Sequence, residues 1–191
     1  AMRSVWQAHP RDPDVGALFA ESLADLRPWD LWTPEGQPQP GTGELIVTLD
    51  QVIALQPAHP LANHLYIHAV EASPEPGRAD AAADRLRQLQ PGLGHMVHMP
   101  SHIDVRRGRW QQAIEANARA IEADRRYTAR SPQQQFYRLY MAHNHHMLAY
   151  AAMMNGQSRL ALETMREMVA DIPADFFRAN PWADGMMAMP L

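Results

Sequence analysis

The segments HLYIH, from His64 to His68, and HMPSH, from His98 to His102, share the form HxxxH and lie 34 residues apart. The same spacing of 34 relates Ala79 to Ala113, Leu86 to Ala120 and Pro57 to Pro91. A shift of 48 then relates Ala113 to Ala161, Gly108 to Gly156 and His98 to His146, and the 14 extra residues fit an insertion around Tyr127 to Tyr140. A backward shift of 47 takes His59-Pro60 to Asp12-Pro13, with 13 extra residues in the Pro-, Gly- and Trp-rich stretch Arg27 to Gly41. A period of this length means that one supersecondary unit is stacked several times, each burying its neighbour's apolar face.

Each unit reads as two helices. Pro60 is well placed for a first helical turn, and Pro60–Ser73 is apolar on a helical period. Pro74-Glu75-Pro76-Gly77 breaks it; Ala79–Gln90 is a second amphipathic helix ended by Pro91-Gly92. The next unit pairs His95–Arg107 with Gln111–Arg126 around Gly108. The last pairs Met141–Met154 with Ser158–Ala170 around Gly156 and closes at Pro173, and an earlier unit pairs Asp14–Leu26 with Gly43–Leu55. No useful length shows strand alternation. Pro100, inside HMPSH, either kinks its helix or marks a helix that starts only near Met99.

A helix–turn–helix of this length resembles the tetratricopeptide (TPR) repeat. The carrying residues are Gly108, Trp110, Ala113 and Ala120 in one unit, Gly156, Ala161 and Pro173 in the next, and Ala79, Leu86 and Pro91 in the one before. The resemblance covers about residues 12–173, and the HLYIH and HMPSH segments also look like those of uncharacterised bacterial TPR-like proteins. It implies an all-α, right-handed solenoid of antiparallel helix pairs, with units near 12–57, 58–91, 92–126 and 140–173 and two insertions. Asn117 departs from the pattern, standing where the family usually has an aromatic. The run 185–191, GMMAMPL, parallels GHMVHMPS at 94–101 and reads as the start of a further helix. The expectation is a single repeat domain cut from a longer array.

Composition narrows the chemistry. There are no cysteines, so disulfides, thiol nucleophiles and thiolate zinc sites are excluded. All 17 basic residues are arginine, which removes Schiff-base lysines and the phosphate-loop lysine. A net charge of −4, with no basic run beyond Arg106-Arg107 and Arg125-Arg126, argues against nucleic acid as the main partner. No apolar run is long enough to span a membrane and no signal peptide is visible, so the expectation is a cytoplasmic chain with no membrane partner.

Ten histidines remain to be explained. His64, His98 and His146 take equivalent places in three successive first helices. One turn later come His68, His102 and Tyr150, and three residues before stand His95 and His143. Glu71 extends the first stripe, and the unit before carries Ala17 and Glu21 at the equivalent places. Residues three and four apart share a helix face, so each stripe is co-facial. The TPR resemblance implies that first helices line the concave surface, which would set these stripes side by side.

Paired HxxxH helices suit a transition metal. The expected ligands are His64, His68, His98, His102 and His146 for one or two ions, with His143, His95, Glu21 and Asn117 as additional candidates. Imidazole suits zinc, copper or iron, and sequence does not choose. A metal-dependent hydrolase or oxidoreductase would use Glu71 as general base and Tyr150 as donor or ligand. The competing expectation is a metal-free TPR scaffold gripping a peptide, a small molecule or a protein partner in the groove. Asn117 either orients an imidazole or bonds a backbone carbonyl. His59 and His9, beside prolines, read as solvated loop residues. Trp29 and Trp32 either cover the histidines or, the weightier expectation, pack across the outside of the helices.

Overall fold

A computed structural model describes residues 1–132, 137–171, 176, 178, 180 and 181. Among the described residues the regular elements are helices, with one isolated antiparallel bridge between Trp32 and Pro38. The contacts divide the chain into two compact units, Ala1–Gln90 and Pro91–Leu191.

The first unit holds α1 (Met2–Ala8), α2 (Pro13–Ala24), α3 (Thr42–Leu55), α4 (Pro60–Glu71) and α5 (Asp80–Leu89), the last entered through a 3-10 turn at Pro76–Ala79. Helix α1 has no counterpart in the sequence reading. It is anchored by Trp6, which is buried. The two X-Pro sites aligned by the repeat are both helix starts. Asp12 caps α2, its Oδ1 accepting from the Asp14 and Val15 amides at 3.0 and 3.2 Å, with Pro13 at the first position. His59 does the same for α4, its Nδ1 accepting from the Ala62 amide at 3.2 Å, with Pro60 behind it. This corrects the expectation of a solvated loop histidine: His59 is 5% exposed, and its Nε2 meets Asp14 Oδ1 at 3.0 Å. An acceptor is needed at an N-cap, and an imidazole supplies one only from an unprotonated nitrogen.

The second unit holds α6 (Gly94–His98), α7 (Pro100–Arg106), α8 (Trp110–Arg130), α9 (Arg138–Met154) and α10 (Ser158–Asp171). Pro100 donates no hydrogen bond, which separates α6 from α7, yet Met99 between them keeps right-handed helical angles, φ −49° and ψ −40°. The rod therefore starts at Gly94 and runs on past the proline, so the late start near Met99 is not what forms. Gly108 and Gly156 end α7 and α9 alike, with φ of 69° and 74°. After each glycine the next amide reaches back five residues, Arg109 to the Asp104 carbonyl and Gln157 to the Ala152 carbonyl, both at 2.8 Å. That is the Schellman ending, whose left-handed residue glycine adopts without a Cβ penalty.

The insertion around Tyr127 to Tyr140 is partly helical: α8 runs on to Arg130, beyond the expected Arg126, and α9 begins at Arg138. Apolar residues of α8, α9 and α10 close the core, among them Ala113, Ile121, Leu148 and Ala152, with Met165 and Met168 as filler. The run 185–191 and Pro173 lie outside the described residues. No helix among the described residues is long and apolar enough to cross a membrane.

Candidate metal centre

His98 is the last residue of α6 and is fully buried. His102 follows one turn later on α7, and the two Nε2 atoms stand 2.9 Å apart. His143, near the start of α9, turns its ring to within 4.7 Å of the His98 ring and 5.5 Å of the His102 ring. One nitrogen from each of the three lies within 4.8 Å of the others. Continuity of the rod through Pro100 keeps the i, i+4 pair co-facial, so His98 and His102 converge on one point.

The tautomer of His98 is set by its neighbour. Asn117 Nδ2 donates to the Ala113 carbonyl at 2.8 Å, so its Oδ1 is the end that faces His98 Nδ1 at 2.7 Å. An amide oxygen only accepts, so Nδ1 carries the proton and Nε2 presents a lone pair. Both alternatives for Asn117 are therefore realised at once: it bonds a backbone carbonyl and orients an imidazole. Ser101 Oγ lies 3.3 Å from the same Nδ1. Burial, and then the neighbouring His102 and His143, hold His98 well below the usual imidazole range. Its resting form is neutral, the form a metal requires.

His146, expected from the repeat register, is half-buried on α9 and is not a member of this group; His143, three residues earlier, is. Equivalent register is not equal height when helices cross at an angle. His95 is half-buried on α6, its ring 5.9 Å from His98 and 4.8 Å from Tyr140. Tyr150 is 43% exposed and its ring lies 6.1 Å from that of Trp110, so its mapped aromatic neighbour is the start of α8. Met153 and Met154 are exposed at the end of α9.

In the first unit, α4 carries His64 and His68 with ring centres 4.9 Å apart. Glu71 Oε1 meets His68 Nδ1 at 2.7 Å, so the carboxylate orients this ring as Asn117 orients His98. Glu71 is thereby a partner of a candidate ligand, which competes with its expected part as a general base. The tryptophan insertion lies on this histidine face. Trp32 Nε1 donates to the Ala69 carbonyl at 2.8 Å, and the Trp29 ring meets His68 edge-on at 5.6 Å. That corrects the weightier expectation of packing across the outside, and Trp29 keeps a φ of 61° that a bulky residue rarely adopts. Glu21 is half-buried on α2 and enters none of the groups of three potential ligands among the described residues.

A second polar cluster secures α6 against α8 and α9. Asp124 on α8 is 4% exposed; its Oδ1 accepts from the Tyr137 hydroxyl at 3.1 Å and its Oδ2 from Asn144 Nδ2 at 2.7 Å. The Tyr137 oxygen in turn accepts from the His95 amide at 3.3 Å. A Cβ at Gly94 would overlap Asp124 Oδ1. Burial pushes the Asp124 carboxyl up to about 6, and burial beside Asp124 raises the Tyr137 phenol. Sequence reasoning missed this cluster. Its one signal is an aspartate inside the apolar phase of α8, opposite a glycine.

Taken together, the helix pairs and the shared glycine endings define an all-α, TPR-like repeat protein. Two solved structures carry the same fold. A crystal structure of MamA superposes with a TM-score of 0.65 at 15% identity, covering 90% of this chain and 84% of that one. MamA from residue 41 to its end, from Desulfovibrio magneticus RS-1, gives 0.62 at 13% identity, covering 94% and 83%. At such identity the likeness speaks for the fold. No protein-family model matches the chain, and neither does any curated protein.

Proposed function

We propose that this TPR-like scaffold binds one transition-metal ion through His98, His102 and His143. The observation that carries the reading is the convergence of three imidazoles on one point, with the first held by Asn117 in the tautomer that offers Nε2. Metal-ligating histidines characteristically hand their other ring nitrogen to an oxygen acceptor. Two nitrogens bound to one zinc at 2.0–2.1 Å stand roughly 3.3 Å apart in a tetrahedron. The pair at 2.9 Å opens by a few tenths of an ångström to admit the ion, which replaces the N–H that now bridges them.

An all-imidazole set favours zinc, copper or iron over the oxygen-seeking magnesium and calcium. Three protein ligands leave a coordination position for water or a substrate, the arrangement of catalytic rather than structural zinc sites. A bound water of lowered pKa would supply hydrolysis, and a redox ion oxidation. His64 and His68, with Glu71 orienting the latter, are the candidate ligands of the first unit.

Elemental analysis of the protein, purified without a polyhistidine tag, tests the reading. Bound zinc, copper or iron that is lost from a His98→Ala/His102→Ala variant supports it. A parent that carries no metal and takes up none of the three contradicts it. That result would leave a metal-free TPR scaffold for a peptide or protein partner.

A further inference from the structure

We propose that Asp124 positions the three-histidine centre, and that its hydrogen bond to Asn144 is what presents His143, and not His146, as the third ligand. The inference rests on the metal reading and adds to it the residue that sets that site's geometry.

The argument begins on α8, which supplies none of the three imidazoles. Asn117 and Asp124 lie seven residues apart on it, two turns, and so share one face. Both are buried, at 0% and 4% exposure. Asn117 holds the His98 ring directly, at 2.7 Å. Asp124 holds the helices that carry the rings. Its Oδ1 accepts from the Tyr137 hydroxyl at 3.1 Å, and the Tyr137 oxygen accepts from the amide of His95 at 3.3 Å, one turn before His98 on α6. Its Oδ2 accepts from Asn144 Nδ2 at 2.7 Å, on the residue that follows His143 on α9. The missing Cβ of Gly94 lets the start of α6 lie against the same carboxylate. One side chain thus fixes two ligand-bearing helices.

The arm to α9 also fixes its rotation. Successive residues of a helix lie about 100° apart. With Asn144 aimed at α8, His145 falls to one side, where its Nε2 faces Asp171 of α10 at 3.7 Å. His143 falls to the other side, where it meets the rings of His98 and His102. His146 falls about 200° round from Asn144, nearly opposite α8, and one turn further along. The Asn144 bond therefore decides which of the two histidines points at the centre, a choice that the repeat register does not make.

Asn144 Oδ1 is buried without a hydrogen-bond partner among the described residues. An amide turned end for end offers an acceptor where it offered a donor. Asp124→Asn therefore keeps both arms, its oxygen accepting from Tyr137 and its nitrogen donating to the turned Asn144. Asp124→Ala keeps neither.

The test is competition for zinc against a chromophoric chelator, in the full, untagged chain. Asp124→Ala should weaken zinc about tenfold or more, whereas Asp124→Asn should stay within roughly threefold of the parent. Met165→Ala, a core truncation on α10, loses stability as well and should leave zinc affinity at the parent's value. His143→Ala should cost roughly tenfold less in the Asp124→Ala background than in the parent, because its ring is no longer held in place. Asn144→Ala and Tyr137→Phe cut one arm each and keep the test valid should Asp124→Ala fail to fold. The first should reproduce the lost dependence on His143, and the second should weaken zinc while leaving that dependence in place. A parent that binds zinc, with these variants binding it no more weakly than Met165→Ala, overturns the proposal and leaves the metal reading standing. A parent that binds none overturns both.

Discussion

The amide oxygen of Asn117 lies 2.7 Å from Nδ1 of His98, while the same amide's nitrogen is spent on the Ala113 carbonyl four residues back. The side chain is thus fixed at both ends, and through it the buried ring of His98 is fixed in rotation and in tautomer. Replacing Asn117 by Ala frees the ring and strands its N–H. Loss of such an orienting partner typically lowers metal affinity 10- to 100-fold. Calorimetric titration of zinc into the metal-free variant should show that loss, with the helical circular dichroism retained.

His143 and His146 are distinguished by geometry alone. The first belongs to the three-histidine group and the second does not. His143→Ala should weaken metal binding by 100-fold or more, while His146→Ala should change it by less than threefold. Competition against a chromophoric chelator reads both. The reverse order would restore the ligand set that the repeat register suggested.

Asp124 makes the stability of the fold depend on pH in a direction opposite to ordinary acid denaturation. Its carboxyl titrates near 3.8 when unperturbed and is raised to about 6 in the folded chain by burial. The folded state therefore binds more protons than the unfolded state between those values. This group's contribution is fully present below about pH 4, is lost as pH rises through about 6, and is constant above that. Urea titrations of the wild type and of Asp124→Asn, at steps from pH 4 to 7, should show the wild type losing ground to the variant across that window.

Gly94 gives way to Asp124, and any side chain there must displace a buried carboxyl. Gly94→Ala should cost about 2–3 kcal/mol or more, by overpacking and by breaking the Asp124 network. Gly43, in the first turn of α3 with open space where a Cβ would stand, is the control. Gly43→Ala should be neutral or stabilise by up to about 1 kcal/mol. Thermal melts of the two variants should move apart accordingly.

The elements with local causes were legible in the sequence. Gly108 and Gly156, aligned by the 48-residue shift, end their helices in the same left-handed turn. The small residues Ala79, Ala113 and Ala120 recur in phase and are all fully buried. Pairing of His98 with His102 followed from the i, i+4 rule, once Pro100 proved to cost one hydrogen bond and not the helix. What depended on crossing elements was not legible. Register places residues along a helix, not against a neighbour, so the repeat favours His146 where the fold uses His143. The proline beside His59 suggests a loop, whereas its alignment with the capping Asp12 is the better signal. The Trp32 bond to the Ala69 carbonyl joins residues 37 apart through a loop with no period at all.

The most direct test is zinc titration of the untagged, metal-free chain beside His98→Phe, which keeps a ring in the buried position while removing both nitrogens. The expected result is saturable binding by the parent and the loss of one equivalent of ion in the variant, with unchanged helical content. A variant that binds zinc with the parent's stoichiometry and affinity would contradict it, because the fully buried His98 would then be a packing residue and the three-histidine centre no metal site.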